Sequence, residues 1–489
     1  MSPGSLPGYA PCADMSRFTI LLCLALCAGA FPAPCAPLLV QAPDDLWPEW
    51  LRLTSAFPLP PDVQPVRLVP GRDPQGDSAV LSLGGNGKVI GLMPVVPVTT
   101  LGDERSSATT VETARGAVRT RALCDITLPE VGLPLNGIFP DNPGYPLQEK
   151  LTLQVQSSDA ELLAWFAKLP ESPPFPEASI AWIQAVGDIM PARGVDNALL
   201  EDGGLERVFG NTLALLRGSG LLLGNLESSA ALTGAPANKS YTFRFRGEAV
   251  GRLKDAGFSY LSLANNHTFD FGAEGFLQTL AALSRWGVAT SGAGTDLAEA
   301  SRPSVFHIGQ QEIRVLSLGD FPVDRTGFDG RAEEAARDSR PGILWLDAQG
   351  IEIAARAFSN RSSFNIAFIH GGEEWRASPT AQQERLYREL VRNGANLVIG
   401  AHPHILEGLE AMDGSLIAYS LGNFLFPGMD GTPGGEDSVI LRLGVYDGRI
   451  RYVQAFPVRL RERTVRRAAD ERAWKVLMSR TRALALGNE

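Results

Sequence analysis

Leu397-Val398-Ile399-Gly400-Ala401-His402-Pro403-His404 is the stretch on which the fold turns: an apolar, strand-like run that delivers two imidazoles on either side of a proline. Successive side chains of an extended chain face opposite ways, whereas a proline turn after a strand can aim both rings at one centre. The chain has only five histidines, and four of them fall in three short segments that each follow an apolar run. The other two segments are Asn265-Asn266-His267 and Ile369-His370-Gly371-Gly372. Upstream, Ala185-Val186-Gly187-Asp188 and Leu221-Leu222-Leu223-Gly224-Asn225-Leu226-Glu227 place carboxylates at the ends of similar runs. Strand-to-loop junctions are where α/β folds carry their chemistry, and imidazole with carboxylate is a transition-metal donor set. Asp, Glu, Asn and His spread over five strand ends are the makings of a two-metal hydrolytic site.

Around that core, 489 residues allow two or three domains, and 44% hydrophobic with 20% charged residues is enough to bury a sizeable core. A net charge of −10 and a pI near 5.2 exclude a general nucleic-acid or anionic-membrane surface. Any affinity for an anion must come from the site itself. Residues 1–30 read as a secretory signal peptide: Phe18 to Ala30 is an apolar stretch of 13 residues, too short to span a bilayer, ending in Ala28-Gly29-Ala30. Arg17 directly precedes this run, which makes Met15 a plausible initiator. The chain is therefore expected to be exported, periplasmic or associated with the cell envelope, touching the membrane only through the signal segment. Cys12, Cys23, Cys27 and Cys35 lie in or beside that segment, so no disulfide framework is available. Acylation of Cys27 or Cys35 is the alternative to simple cleavage. Cys124 and Asp125 read as structural.

Residues 44–169 are rich in Val, Leu, Pro and Gly, with short alternating runs at Val66, Val89 to Val98 and Leu151 to Gln156 and one helical pattern at Asp159 to Lys168. This predicts a smaller β-rich (α+β) N-terminal domain. Residues 170–178 hold a proline-rich linker. From 179 to 460 strand-like and helix-like segments alternate regularly, which implies an α/β domain of buried, largely parallel strands. Helices are expected near Leu205 to Leu216, Ala249 to Ala256, Ala273 to Trp286 and Ala348 to Phe358, and after a capping box of Thr380 and Gln383. Asp447-Gly448 marks a hairpin closing the second sheet, and residues 461–489 a basic helical tail.

Gly187-Asp188-Ile189-Met190 with Arg193, Asn225-Leu226-Glu227, Asn265-Asn266-His267 with Asp270 and Gly272, His370 with Glu374, Gly400-Ala401-His402-Pro403-His404 and Ser420-Leu421-Gly422-Asn423-Phe424 together resemble the CapA family of capsule, or poly-γ-glutamate, biosynthesis proteins. The resemblance covers about residues 179 to 460. It implies a calcineurin-like metallophosphoesterase fold, a four-layer α/β/β/α sandwich. It makes Asp188 and His404 ligands of one divalent metal ion, Asn266, His370 and His402 ligands of a second, and Glu227 the bridge. The metals would be Mn, Fe or Zn. His267 would act beside the leaving group with Arg193 assisting. Apart from the resemblance, the Glu373-Glu374-Trp375-Arg376 run is a rim candidate, and Asp270, Glu374, Arg376 and Asn423 are expected as the substrate rim. Where calcineurin-like enzymes carry Asp-x-His, this sequence has Met190, and a Glu replaces the usual bridging Asp. His307, outside these motifs, is expected to be structural.

The expected function is an exported metal-dependent hydrolase of the phosphoesterase type, acting on an anionic polymer or phosphoester in capsule or poly-γ-glutamate synthesis and export or other envelope polymer metabolism. Two alternatives stand beside it. One is a non-catalytic, metal-stabilised envelope protein that binds an anionic polymer or the export machinery. The other is a metal-dependent amide hydrolase acting on a γ-glutamyl or peptidoglycan peptide.

Overall fold

The computed structural model describes residues 38–43, 46–61, 63–67, 78–83, 87–101, 118–136, 138–142, 145–170 and 179–487. The expected signal peptide, the four cysteines beside it and all but the first residue of the linker lie outside the described residues. Among the described residues, no helix is long and apolar enough to cross a membrane.

The alternation after residue 179 produces two six-strand ladders. In the first, Tyr260–Ser262, Leu221–Leu226 and Ala181–Ile189 run parallel, and Asp437–Tyr446, Arg449–Arg461 and Thr464–Arg467 extend the sheet antiparallel. A short strand, Asn423–Leu425, also pairs with Ala181–Ile189 and sets Asn423 opposite Asp188. In the second, Gln311–Asp320, Phe364–Gly371, Leu397–Ala401 and Ser415–Ala418 are parallel, with antiparallel Ser304–Ile308 and Leu409–Met412 at the edges.

The twofold alternation of strand side chains sorts the core. Ile183, Ala185, Leu221, Leu223 and Leu441 of one sheet share a buried cluster with Val315, Ile366, Phe368, Leu397 and Ile399 of the other. Val186, Leu222 and Ile440 face the opposite way, into a cluster with Val250 and Leu253 of helix Ala249–Ala256 and Phe276 and Leu283 of helix Gly272–Trp286. On the far side, Leu318, Ala367, Ile369 and Val398 pack against Ile351 and Ala354 of helix Ala348–Ala357 and Leu386 and Leu390 of helix Ala381–Arg392. Each fully buried aliphatic contributes about 1.5–3 kcal/mol. The last helix starts where the capping box places it: Gln383 N–H donates to Thr380 Oγ1 at 3.1 Å and Thr380 N–H to Gln383 Oε1 at 2.8 Å.

Several expectations need correction. The Leu205 to Leu216 helix is broken into Gly204–Phe209 and Leu213–Arg217, because Gly210 takes φ +49° and a side chain there would meet Arg466. The hairpin at Asp447 (φ +59°) and Gly448 (φ +67°) extends the sheet that begins with Ala181–Ile189, not the sheet of the later strands. Residue 460 falls inside the strand Arg449–Arg461, so no break separates domain from tail there. The final helix, Arg472–Gly487, is part of the core: Ala473, Leu477 and Met478 are buried between the sheets, and Thr481 Oγ1 accepts from Leu409 N–H at 3.0 Å. Trp474 and Val476 pack against the same cluster, which a basic composition hides in the sequence.

The N-terminal unit has a sheet in the order Pro65–Arg67, Leu38–Gln41, Ser78–Leu83, Gln148–Gln156, Lys88–Thr100, Arg119–Ala122, with Glu130–Gly132 also on Lys88–Thr100. The expected helix is Ala160–Lys168, capped by Asp159, and a second, Trp47–Ala56, precedes it. Trp50, Leu81, Val96, Leu153 and Trp165 share their core with Ile180, Tyr446 and Tyr452. Phe139 sits 4.7 Å from Trp182 and 5.3 Å from Tyr452, ring centre to ring centre, so the two units are packed together. Cys124 is buried there.

Two glycines next to the site motifs are fixed by close approach of backbone. A Cβ on Gly187 would lie 1.8 Å from Gly422 O, and one on Gly400 1.8 Å from Tyr419 O. Either alanine variant forces two strands apart and should cost about 3 kcal/mol, or roughly 3–5 °C in melting temperature for a unit of this size. An unchanged melting temperature would contradict this packing.

Candidate metal centre

All the motif residues arrive at the carboxyl ends of the parallel strands. Asp188 is near the end of Ala181–Ile189, Glu227 follows Leu221–Leu226, Asn266 and His267 follow Tyr260–Ser262, His370 is near the end of Phe364–Gly371, and His402 and His404 follow Leu397–Ala401. The two-histidine turn works because both histidines are left-handed, at φ +97° for His402 and +60° for His404. Pro403 lies between them, and its carbonyl accepts from Trp375 N–H at 2.9 Å. The two rings end 6.0 Å apart, centre to centre.

Glu227, His370 and His402 bring one ligand atom each to within 4.8 Å of one another, and so do Asp188, Glu227 and His404. Glu227 is common to both groups. Asn266 Oδ1 is 2.8 Å from His370 Nε2, which is itself 3.1 Å from His402 Nδ1. His404 Nδ1 is 3.0 Å from Asn423 Oδ1 and 3.3 Å from Asp188 Oδ2, which places its proton on Nδ1 and leaves Nε2, 3.9 Å from Glu227 Oε1, as the donor atom. Glu227 Oε1 and His402 Nε2 are buried and have no hydrogen-bond partner among the described residues. Leaving such atoms unpaired costs about 1–3 kcal/mol each. Carboxylate and imidazole atoms converging without partners fit divalent cations of the Mn, Fe or Zn kind.

The electrostatics agree. Burial, then the negative charges of Asp188, Glu374 and Asp270, raise the Glu227 carboxyl well above its ordinary range. Burial holds His370 far below the ordinary imidazole value and His402 down at about 3, so both rings are neutral and able to ligate. Burial acts the same way on His404, but Asp188, Glu374 and Asn423 together outweigh it and raise that ring.

His267 stands beside the cluster. Its Nδ1 donates to Asp270 Oδ2 at 2.8 Å, its ring is 4.5 Å from Phe243, and burial lowers its pKa against the pull of Asp270. Arg193 packs on the same Phe243. Its guanidinium lies 4.7 Å from the centre of Phe243 and donates to Pro427 O at 2.7 Å.

Two residues expected at the rim are elsewhere. Asp270 is fully buried behind His267, and Asn423 fully buried behind His404, where each aligns a neighbouring imidazole. Glu374 is exposed, close enough for its charge to act on Glu227 and His404. Arg376 is turned to Glu373 at 3.1 Å and Ser378 O at 3.1 Å and joins no ligand. His307 is on an edge strand, 68% exposed, 3.7 Å from Glu312. Met190 is buried in the core on the helix side, which accounts for a first motif with one ligand instead of two.

Asn225 stands in the Asn225-Leu226-Glu227 motif but is not among the expected site residues. Its Nδ2 lies 2.9 Å from Asp188 Oδ1 and 3.0 Å from His370 Nδ1, and its Oδ1 accepts from Asn265 Nδ2 at 3.0 Å, so it ties both halves of the site together. The signal was available: in a strand, residues two apart share a face, and Asn225 precedes Glu227 by two.

Glu407, just past the histidine turn, is buried with Gln383 Nε2 donating to Oε2 at 3.2 Å. Burial raises its pKa from 4.5 to about 8. The native state thus prefers the protonated acid. The stability this contributes is complete below pH 4.5 and is lost as pH rises through about 8. Glu407→Gln should melt like the parent at pH 5 and higher than the parent at pH 9, by a few kcal/mol at most. Parallel pH–stability curves for the two proteins would count against it.

A family model described as bacterial capsule synthesis protein PGA_cap matches residues 182–428, half of the chain. The PGA biosynthesis protein CapA of Bacillus subtilis is 28% identical over 281 residues, covering 57% of this chain and 71% of that protein. The capsule biosynthesis protein CapA of Bacillus anthracis is 28% identical over 282 residues, 57% of this chain and 67% of that one. Among solved structures, the sulfate thiohydrolase SoxB of Thermus thermophilus aligns with TM-score 0.35 and 14% identity over 63% of this chain and 60% of that one, too distant to bear on fold or chemistry.

Proposed function

Since the chain belongs to the bacterial capsule synthesis protein family PGA_cap, we propose that it is an exported metal-dependent hydrolase of the phosphoesterase type, working in the periplasm or cell envelope on capsule or poly-γ-glutamate synthesis, export or related polymer metabolism. In this reading the two sheets and their outer helices form a four-layer α/β/β/α sandwich of the metallophosphoesterase kind, with the site at one end. The observation that carries the chemistry is the pair of ligand groups sharing Glu227, with Glu227 Oε1 and His402 Nε2 left unpartnered.

Two divalent ions held by Asp188, Glu227 and His404 on one side and Glu227, Asn266, His370 and His402 on the other would supply charge stabilisation and an activated water. The residues of the chain divide the remaining work. Asn225 and Asn423 hold the ligands in register. Asp270 keeps the His267 proton on Nδ1 and stabilises the imidazolium, so Nε2 is the atom that hands a proton to the departing oxygen. Burial lowers His267 and makes that imidazolium a stronger acid. Arg193, fixed over Phe243, offers positive charge to an anionic substrate.

The test is a screen of the full chain against a chromogenic phosphodiester, a phosphomonoester and poly-γ-glutamate, with and without chelator. Phosphodiester cleavage that chelation abolishes is expected. Release of γ-glutamyl fragments without phosphoester turnover would replace this reading with the amide hydrolase. Polymer binding without turnover of any substrate would replace it with the non-catalytic one.

A further inference from the structure

Lys239, in the segment between Leu221–Leu226 and helix Ala249–Ala256, buries its charge beside the site. Its side chain is 2% exposed. Nζ donates to Asp270 Oδ1 at 2.7 Å and to the main-chain oxygen of Asn266, and stands 3.8 Å from Glu334 Oε1. Phe328 lies under it, 5.2 Å from the ring centre. Asp270 accepts in turn from His267 Nδ1 and, at 2.6 Å, from Phe243 N–H. One ammonium therefore grips both sides of His267: the peptide group of Asn266 before it and the carboxylate that orients its ring.

The surroundings are built to hold this cation. Asp324 accepts from Ser240 N–H at 3.2 Å and Oγ at 3.0 Å, and Thr326 Oγ1 donates to Asn238 O at 2.7 Å, so the residues on both sides of Lys239 are tied to the segment that carries Phe328 and Glu334. A buried charge costs several kcal/mol unless it is paired. Of the three N–H groups of the ammonium, two are taken by Asp270 Oδ1 and Asn266 O, and Glu334 Oε1 stands 3.8 Å away.

We infer that Lys239 is a positioning residue for the metal centre, fixing Asn266 and, through Asp270, His267. The inference rests on the two-metal reading above. Asp188 and His404 are held by Asn225 and Asn423, neither of which touches Lys239. Loss of the ammonium therefore loosens the position formed by Asn266, His370 and His402 and spares the other.

The experiment is zinc titration of the metal-stripped full chain in competition with a chromophoric chelator, for the parent and for Lys239→Met. The parent should show two sites. Lys239→Met should keep one at parental affinity and weaken the other by about 10–100-fold, as loss of a group supporting a ligand does. Its kcat should fall with KM unchanged. Because Lys239→Met strands the Asp270 charge, the pair Lys239→Met with Asp270→Asn is made as well. It removes both charges and keeps an acceptor for His267 Nδ1, yet still leaves Asn266 unheld, so the selective weakening should persist. Two sites of parental affinity in either variant, equal weakening of both sites, or a paired variant that does not fold would overturn the inference. A parent with fewer than two zinc sites would instead overturn the two-metal reading.

Discussion

Alanine at His402 or at His404 removes about one metal ion per chain and lowers phosphodiester turnover by more than about 100-fold, since losing even a supporting neighbour of a metal ligand costs about 10–100-fold. The two rings belong to different ligand groups that share Glu227. His404 Nδ1 is occupied by Asn423 and Asp188, so only Nε2 can reach a metal, and no other side chain replaces it. His402 keeps a buried Nε2 that no described residue hydrogen-bonds. Because a two-metal site acts as a unit, the double variant should be little worse than either single one. Metal content by mass spectrometry beside hydrolysis rates decides it. Equal metal in parent and variants would remove both residues from the ligand set.

His267→Ala separates catalyst from ligand. Its metal content should match the parent while turnover falls by about 10²–10⁴-fold, the cost of a missing general acid. The ring has its Nδ1 committed to Asp270, and lies beside the ligand groups without belonging to them. Asp270→Asn should follow in the same direction, because it removes the charge that stabilises the imidazolium. His307→Ala should move neither quantity, as its ring sits exposed on an edge strand. A fully active His267→Ala would end the assignment.

The sequence made the strand ends legible because each ligand there follows an apolar run, and the buried alternation of those runs leaves one direction for the residue that ends them. It could not show the left-handed backbone of His402 and His404, which depends on contacts such as Trp375 N–H on Pro403 O. Asp270 and Asn423 are expected at the rim, since sequence alone does not separate a polar residue facing solvent from one facing an imidazole. Lys239 lies in a loop with no periodicity, and its partners Asp270 and Glu334 are 31 and 95 positions away. The final helix reads as a tail from sequence because its composition is basic; Ala473, Leu477 and Met478 nevertheless join the buried cluster, with Trp474 and Val476 packed against it.

Metal analysis of the purified, untagged full chain, followed by chelation and reloading, decides whether this is a two-metal hydrolase. About two divalent ions per chain, phosphodiester turnover lost on chelation, and recovery of both on reloading are expected. A chain that takes up no more than one ion, or that carries two and hydrolyses the phosphodiester equally well without them, would contradict that reading.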